Sequence, residues 1–180
     1  MSTAVARICL LSSVLGCPSS ALAQHRAESD HIFATAIEFV RARRRTRLQG
    51  VRPESIVVQP FMVVQLRPLV LDSIGLSRVG KLILDHGFQV ANDSVRTCGR
   101  LDRGYAAAFA RATCALRRAP YYLELQRPEI TGDSARTRVD VYFKSTSAIS
   151  RPVSFVHYCV ALRKSNDVWR AQSLCGVATP

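Results

Sequence analysis

Lysine is scarce in this chain, although the chain is strongly basic. Only three of its 25 Lys and Arg side chains are lysines, and with 13 Asp and Glu the formal net charge is +12. Such a skew toward arginine, together with many alanines, is typical of a GC-rich genome and does not require selection for an acidic partner. The charge therefore favours a solvated basic surface over a dedicated polyanion site, and it supports contact with anionic surfaces only weakly.

The sequence also lacks the short motifs that identify common enzymes and metal sites. It contains no G-x-S-x-G, no H-E-x-x-H, no glycine-rich phosphate loop and no C-x-x-C pair. From these absences we expect no cofactor and no metal, and a protein without enzyme activity is favoured. The hydrophobic fraction of 48% and the charged fraction of 21% are ordinary for a globular protein, so the 180 residues predict one domain with a real core.

Long hydrophobic runs are missing as well. The apolar stretch at 8–16 is too short to span a bilayer, which needs about 20 residues, and no later run is long enough for a transmembrane helix. Arg7 precedes this stretch, and the A-x-A sequence at 21–23 follows it. Residues 1–23 are therefore predicted to be a signal peptide cleaved before Gln24, which implies export to the periplasm or the exterior.

A lipid anchor is the alternative interpretation of the N-terminus. Residues 14–17 (VLGC) resemble a lipoprotein signal, in which Cys17 would carry the lipid. A leucine directly before Gly16 and a proline directly after the cysteine are unusual for such a site. Cleavage before Gln24 is therefore preferred, and anchoring through Cys17 stays open.

Cleavage before Gln24 leaves four cysteines, an even number that predicts two disulfides in an exported chain. A metal site is unfavoured, because only His157 lies near any of these cysteines. Proximity in the sequence favours the pairs Cys98 with Cys114 and Cys159 with Cys175.

The second disulfide conflicts with the expected register of the last two strands. If residues 164–167 form a four-residue hairpin loop, Cys159 and Cys175 lie on opposite faces of the hairpin and cannot bond. A β-bulge in either strand would bring them to the same side. Nearness in the sequence therefore favours a bond between Cys159 and Cys175, whereas the alternation of side chains along the strands excludes it. The sequence leaves both answers open.

The start of the mature chain, residues 24–50, predicts an amphipathic helix that continues into a run of arginines. Asp30 is the expected N-cap and Gly50 the expected stop. Cations are favourable at the negative end of the helix dipole, which explains the run without any ligand. The alternative is a binding patch for anionic envelope lipid or polysaccharide. Nucleic acid is not expected, because no aromatic residues alternate with the arginines and the chain is predicted to be exported. The candidate residues for anionic binding are Arg41, Arg43, Arg44, Arg45 and Arg47.

The middle of the chain, residues 51–118, predicts a mixed segment. Residues 55–65 are rich in Val, Ile, Phe and Met but contain Pro60, which is typical of an edge strand or of two short extended pieces. A short helix is expected from Ser77 to His86, with Gly87 as its stop. For residues 98–114 a short helix and a stapled loop are both compatible with the sequence.

The C-terminal part, residues 119–180, predicts an antiparallel meander of four strands. Apolar and polar residues alternate, with turn residues between the segments, at 121–127, 135–144, 153–163 and 168–177. Helix first and strands last indicate an α+β domain in which the N-terminal helix packs on one face of a curved sheet.

This order of elements, with a final strand that begins NDVWRAQSL after a turn, resembles the NTF2-like and cystatin-like superfamily. The resemblance covers the N-terminal helix and residues 121–177, and Trp169 takes the place of the tryptophan that closes the core in such domains. It implies a helix on a curled sheet. It leaves the function open, because the superfamily includes enzymes, binding modules and structural domains.

One set of polar residues in the meander is compatible with acid–base chemistry. His157 is expected on a central strand and on the same face as Asp140 and Tyr142 of the neighbouring strand, and Glu124 of the next strand could join them. Asp, His and Tyr are sufficient for proton transfer, and isomerases and dehydratases of the resembled superfamily place such residues in the mouth of the sheet. Alternating polar residues usually mark only a solvated face, however.

The sequence therefore favours an exported, disulfide-stabilised binding or structural module of the envelope or exterior, without catalysis. One alternative is an NTF2-like domain that binds or transforms a small ligand with Asp140, Tyr142 and His157. Another is a basic envelope protein that contacts anionic lipid or polysaccharide through residues 41–47.

Overall fold

The computed structural model describes residues 18–64, 67–69, 80–98, 105–145 and 153–178. Its helices are α1 (Pro18–Ala42), α2 (80–85), α3 (Asp93–Thr97) and α4 (Tyr105–Ala115), and a 3-10 turn lies at Pro53–Ser55. Its strands are β1 (Ile56–Val64), β2 (Arg67–Leu69), β3 (Gln89–Val90), β4 (Tyr121–Gln126), β5 (Glu129–Thr131), β6 (Ser134–Lys144), β7 (Val153–Ser165) and β8 (Val168–Ala178). The predicted α+β class is confirmed.

The strands form one mixed sheet in the order β2-β1-β4-β6-β7-β8, with β3 beside β1 and β5 beside β6. Strands β4, β6, β7 and β8 pair antiparallel, which confirms the predicted C-terminal meander. Strand β1 runs parallel to β4. Parallel neighbours need a long crossover, and here the connection from β1 to β4 contains the helices α2, α3 and α4.

Strand β1 corrects the prediction of an edge strand at 55–65. It lies inside the sheet, between β2 and β4. Its pairing with β4 shifts in register between Val58 and Met62, so Pro60 falls where the regular ladder is interrupted. A proline lacks a backbone N–H and is tolerated in a sheet at such an irregularity.

Helix α1 packs on β6, β7 and β8 and covers one face of the sheet. Its side chains at helical spacing point toward the strands, and apolar positions of the strands alternate toward the helix. The core on this side includes Ile32, Phe33, Ala36, Ile37 and Val40 of α1, and Val139, Val141, Val156, Tyr158, Val160, Leu162 and Trp169 of the strands. The predicted packing of the N-terminal helix on the meander is therefore correct.

The start of α1 differs from the prediction. Asp30 is not an N-cap but lies inside the helix, whose described part starts at Pro18. Near the middle of α1, Glu28 accepts a hydrogen bond from Lys164 at 2.7 Å, which fixes this part of the helix beside the β7–β8 turn. Residues 1–17 lie outside the described ranges, so signal cleavage and lipidation stay predictions. None of the helices in the described ranges is long and apolar enough to cross a membrane.

The end of α1 also differs from the prediction, because the helix stops at Ala42 and not at Gly50. Arg45 has a positive φ of 67°, which no helical residue adopts. The hydroxyl of Thr46 donates to the carbonyl oxygens of Val40 at 2.7 Å and Arg43 at 3.0 Å. These contacts satisfy carbonyl groups that the helix end would otherwise leave free.

Helices α3 and α4 cover the opposite face of the sheet, which the sequence patterns did not predict. The segment 98–114 is both helical and stapled, because α4 begins at Tyr105 and Cys98 is bonded to Cys114 with their Cα atoms 6.5 Å apart. Small side chains let α4 approach the sheet closely. The core on this side includes Val57, Ala91, Val95, Ala108, Ala112, Ala115, Tyr122, Tyr142, Val153 and Phe155.

The disulfide between Cys159 and Cys175 is also present, with Cα atoms 5.1 Å apart. The predicted four-residue loop is wrong, because the turn consists of Asn166 and Asp167 with φ of 51° and 60°. Two positive φ angles are the requirement of a two-residue type I′ hairpin. The β7–β8 register then shifts twice, at Gln172 and at Cys175, which have no Cα partner on β7. These bulges bring the two cysteines together, so the pairing by locality is correct.

Candidate functional site

Three neighbouring strands place the predicted acid–base residues on the α4 side of the sheet. Residues directly opposite each other in an antiparallel pair share a face. Glu124 is opposite Asp140, and Asp140 is opposite His157. Tyr142 lies two residues beyond Asp140 on the same strand and therefore on the same face. The structure thus brings all four residues together, and a catalytic role for them stays a prediction.

The carboxylate of Asp140 is held by two neighbours and is only 4% exposed. Its Oδ1 lies 2.6 Å from Nδ1 of His157, and Arg138 donates to its two oxygens at 2.7 and 3.0 Å. A bidentate guanidinium is a strong hydrogen-bonding partner of a carboxylate. A hydrogen on Nδ1 of His157 donates to the Asp140 oxygen, and Nε2 is then the second ring nitrogen.

Glu124 belongs to a second charged group, which is buried under α4. Nε of Arg111 donates to Oε1 of Glu124 at 2.8 Å, and the side chains are 9% and 2% exposed. The hydroxyl of Tyr122 lies 3.0 Å from the same Glu124 oxygen and 2.7 Å from the amide of Gln59. This network joins α4 to β1 and β4.

Sequence reasoning missed two members of this network, Arg111 and Gln59. A single charge in the apolar helix sequence AAAFARATCA was the available signal for Arg111. The sequence around Gln59 has no comparable signal, because the contact of Gln59 with Tyr122 exists only through the parallel pairing of β1 with β4.

The Tyr122 hydroxyl has one hydrogen to donate and two acceptors within reach, Oε1 of Gln59 and Oε1 of Glu124. The buried Nε2 of Gln59 has no partner among the described residues. An unsatisfied buried N–H is costly to the folded state.

Burial raises the pKa of several groups at this site. Desolvation raises the pKa of the Glu124 carboxyl above its ordinary value, although hydrogen bonding and charge from Arg111 oppose the rise. Desolvation also raises the pKa of the phenols of Tyr122 and Tyr142, with the Glu124 charge as the next cause. Neither tyrosine therefore releases a proton near neutral pH.

An aromatic wall borders His157. The ring centroid of Phe155 is 4.6 Å from that of His157, and Phe109 of α4 is 5.2 Å from Phe155. The side chain of His157 is 15% exposed and that of Arg138 is 35% exposed, so these two connect the buried carboxylates with solvent. The arrangement can transfer a proton through His157. Among the described residues, no group of three or more His, Cys, Asp or Glu could hold a metal ion.

The arginine run at 41–47 divides into different environments. Arg41 is structural, because its guanidinium donates twice to the carbonyl of Val51 at 3.0 Å and once to Glu38 at 2.7 Å. The guanidinium of Arg43 lies 5.3 Å from the ring of Phe39. Three consecutive arginines are exposed and, within the described ranges, form no ion pair; they are Arg43, Arg44 and Arg45.

Arg47 lies apart from the rest of the run and lines a cavity. Its backbone N–H donates to the hydroxyl of Tyr158 at 2.8 Å, and its guanidinium lies 4.8 Å from the ring of Phe143. The cavity has a volume of about 450 Å³ and lies where β4 begins and β6 ends. We call it the basic pocket. Its cationic lining residues are Arg47, Arg117, Arg118 and Lys144.

Comparison with known protein families, curated proteins and solved structures found no match to this chain.

Proposed function

We propose that the protein is an exported, disulfide-stabilised binding domain whose partner is a negatively charged component of the cell envelope. The observation that carries this proposal is a set of cations that are exposed and that have no acidic partner among the described residues, namely residues 43–45 together with the basic pocket. Cations without an acidic neighbour attract anions most strongly where several are close together. Export is supported by the predicted leader and by the two disulfides.

Binding is favoured over catalysis because the candidate acid–base residues satisfy one another. Asp140 and Glu124 are buried and each contacts an arginine, and Tyr142 is 2% exposed. Buried carboxylates with guanidinium partners are common structural features. The basic pocket lies at the end of β6 that carries Phe143 and Lys144, and its lining residues include no carboxylate.

The proposal is tested by co-sedimentation with anionic lipid vesicles and, in parallel, by retention on an immobilised acidic polysaccharide. We expect binding to at least one of them in 20 mM salt and a loss of roughly tenfold or more at 150 mM, because exposed charges are screened by salt. Replacing three charges in Arg43→Gln/Arg44→Gln/Arg45→Gln should weaken this binding on the order of a hundredfold, at roughly 1 kcal/mol for each charge near an anionic surface.

The matched control is Arg136→Gln/Arg163→Gln/Arg170→Gln, which also removes three positive charges but from strands β6, β7 and β8. Arg163 is opposite Arg170 beside the β7–β8 turn, and that turn contacts the middle of α1 through Glu28. Glu28 and Ala42 are fourteen positions apart on α1, which is about 21 Å at 1.5 Å per residue, so the control charges are far from residues 43–45. Equal weakening by both variants, or no binding to either material, would reject a specific basic surface.

A second candidate function is acid–base chemistry at His157, favoured by its 2.6 Å contact with Asp140. It predicts proton-transfer activity toward a small carbonyl compound or activated ester that His157→Gln and Asp140→Asn both abolish. A rate equal to that of free imidazole, or a rate unchanged in His157→Gln, would contradict it.

A further inference from the structure

The basic pocket is assembled from three segments that are far apart in sequence. Arg47 comes from the α1–β1 connection, Arg117 and Arg118 from the α4–β4 connection, and Lys144 from the last position of β6. Because each segment is fixed by the fold, the cations meet only in the folded protein.

Buried neighbours fix the backbone of the α4–β4 connection, which carries two of the cations. Leu116 and Ala119, on either side of the two arginines, are 3% and 5% exposed, and the backbone of Arg118 donates to the carbonyl of Ala115 at 2.9 Å. The turn is therefore anchored at both ends, and Arg117 and Arg118 are exposed between the anchors. A cation in a fixed turn loses less side-chain and loop freedom on binding than one in a loose loop.

Arg47 is oriented by contacts in which, among the described residues, its guanidinium N–H groups donate no hydrogen bond. Its guanidinium lies over the Phe143 ring, and Phe143 is the cross-strand partner of Tyr121, which also lines the pocket. A cation over an aromatic face keeps the N–H groups at its edge free for an anion. Among the described residues, Arg47, Arg117, Arg118 and Lys144 have no acidic partner, and the pocket lining contains no Asp or Glu.

From these observations we infer that the basic pocket binds a small multivalent anion, with two or more phosphate or carboxylate groups. Four cations around a cavity of about 450 Å³ repel one another unless an anion lies between them. That volume is in the usual range for small-molecule sites. The inference rests on the proposed function and narrows it, because such an anion can be a headgroup or terminal unit of the envelope component or a free metabolite.

The inference is tested by calorimetry on the full mature chain with defined probes. Pyrophosphate represents a phosphate source, citrate a carboxylate source and acetate a single charge. We expect one site for pyrophosphate or citrate, with at least about tenfold weaker binding of acetate. Arg117→Gln/Arg118→Gln should lower the affinity for the multivalent probe by about tenfold or more, because charge-assisted hydrogen bonds are lost. The conservative change Arg117→Lys/Arg118→Lys should recover part of the affinity.

The matched control, Arg43→Gln/Arg44→Gln, removes two charges outside the pocket and should change the affinity for the small probe less than about twofold. The same two variants separate this inference from the proposed function. If vesicles and polysaccharide fail to bind while the probe still needs Arg117 and Arg118, the proposed function is wrong and the pocket is a site for a free anion. If polyanions bind but the probe does not, the pocket inference alone is wrong.

Two further outcomes would overturn the inference. One is equal weakening of probe binding by both double variants, which would mean that the overall positive potential of the protein attracts the probe and that the basic pocket is not a specific site. The other is an unchanged probe affinity in Arg117→Gln/Arg118→Gln together with a lower melting temperature. That result would mean that the two arginines only stabilise α4, as cations at the C-terminal end of its dipole. The melting temperature of each variant is therefore measured beside its affinity.

Discussion

The two faces of the sheet are covered in different ways. Under α1 the described core is apolar, and large aliphatic side chains from helix and strands interdigitate. Under α4 the helix contributes mostly alanines, and the strands contribute tyrosines and buried charged groups. A thin alanine surface leaves room for an arginine to reach the sheet, so ion pairing and aromatic contacts replace part of the aliphatic packing. The difference indicates that the stability of the α4 face depends on buried polar contacts, in which removing one partner leaves the other buried and unpaired.

The largest effect is expected from breaking the ion pair under α4. Replacing Arg111 with Met should destabilise the protein by about 3–5 kcal/mol, because Glu124 would remain buried without its partner. The double variant Arg111→Met/Glu124→Leu should recover most of this loss, since neither charge then remains. Urea unfolding at neutral pH gives both values. If Arg111→Met lowers the free energy of unfolding by less than about 1 kcal/mol, the α4 face does not depend on this ion pair and does not differ from the α1 face in that respect.

The disulfides allow the next comparison, because both link cysteines 16 residues apart. Chain entropy assigns about 3 kcal/mol to a loop of this length, so replacing either pair by Ala should cost a similar amount. Their local effects should differ. Cys159 and Cys175 join strands that are already hydrogen-bonded, whereas Cys98 holds the end of α3 to α4. Hydrogen exchange in α4 should therefore become faster only when the Cys98–Cys114 pair is replaced, and protection left intact would contradict this.

A smaller effect is expected in the apolar core under α1. Ile37 is 1% exposed, and Ile37→Val should cost about 0.5–1.5 kcal/mol through the loss of one buried methylene. The matched control is Leu84→Val on α2, where the side chain is 59% exposed and the change should stay within about 0.5 kcal/mol. Thermal unfolding separates the two, and equal shifts would show that Ile37 is not part of a closely packed core.

The smallest effect concerns pH. Because desolvation raises the pKa of Glu124 in the folded state, the folded protein holds this proton more tightly than the unfolded chain. Stability from this group is therefore full below the ordinary carboxyl range and is lost as pH rises through the raised pKa. The opposing effect of Arg111 keeps the change small. Glu124→Gln should remove this fall in unfolding free energy, and an identical pH profile in both proteins would contradict the assignment.

The acid–base residues show how far sequence patterns reach into the candidate site. Alternation along β6 and β7 places Asp140, Tyr142 and His157 on one face, and the structure places them there. The same patterns could not include Arg111 or Gln59, because these residues reach Glu124 from a crossover helix and from a parallel strand. Nor could they join Arg47 to Arg117, because that proximity requires two distant connections, α1–β1 and α4–β4, to converge.

By itself the sequence determined the α+β class, the four-stranded meander, the helix on one of its faces and the Cys98–Cys114 pair, whereas locality and pleating disagreed for Cys159 and Cys175. These features depend on local spacing, on alternation along a strand and on cysteines 16 residues apart. Only the tertiary structure decided that β1 lies inside the sheet, that α4 covers the second face and that β8 bulges beside its cysteine. The basic pocket also belongs to this second group. Each of these features results from contacts between segments distant in the chain, and such contacts leave no periodic signal in the residues that make them.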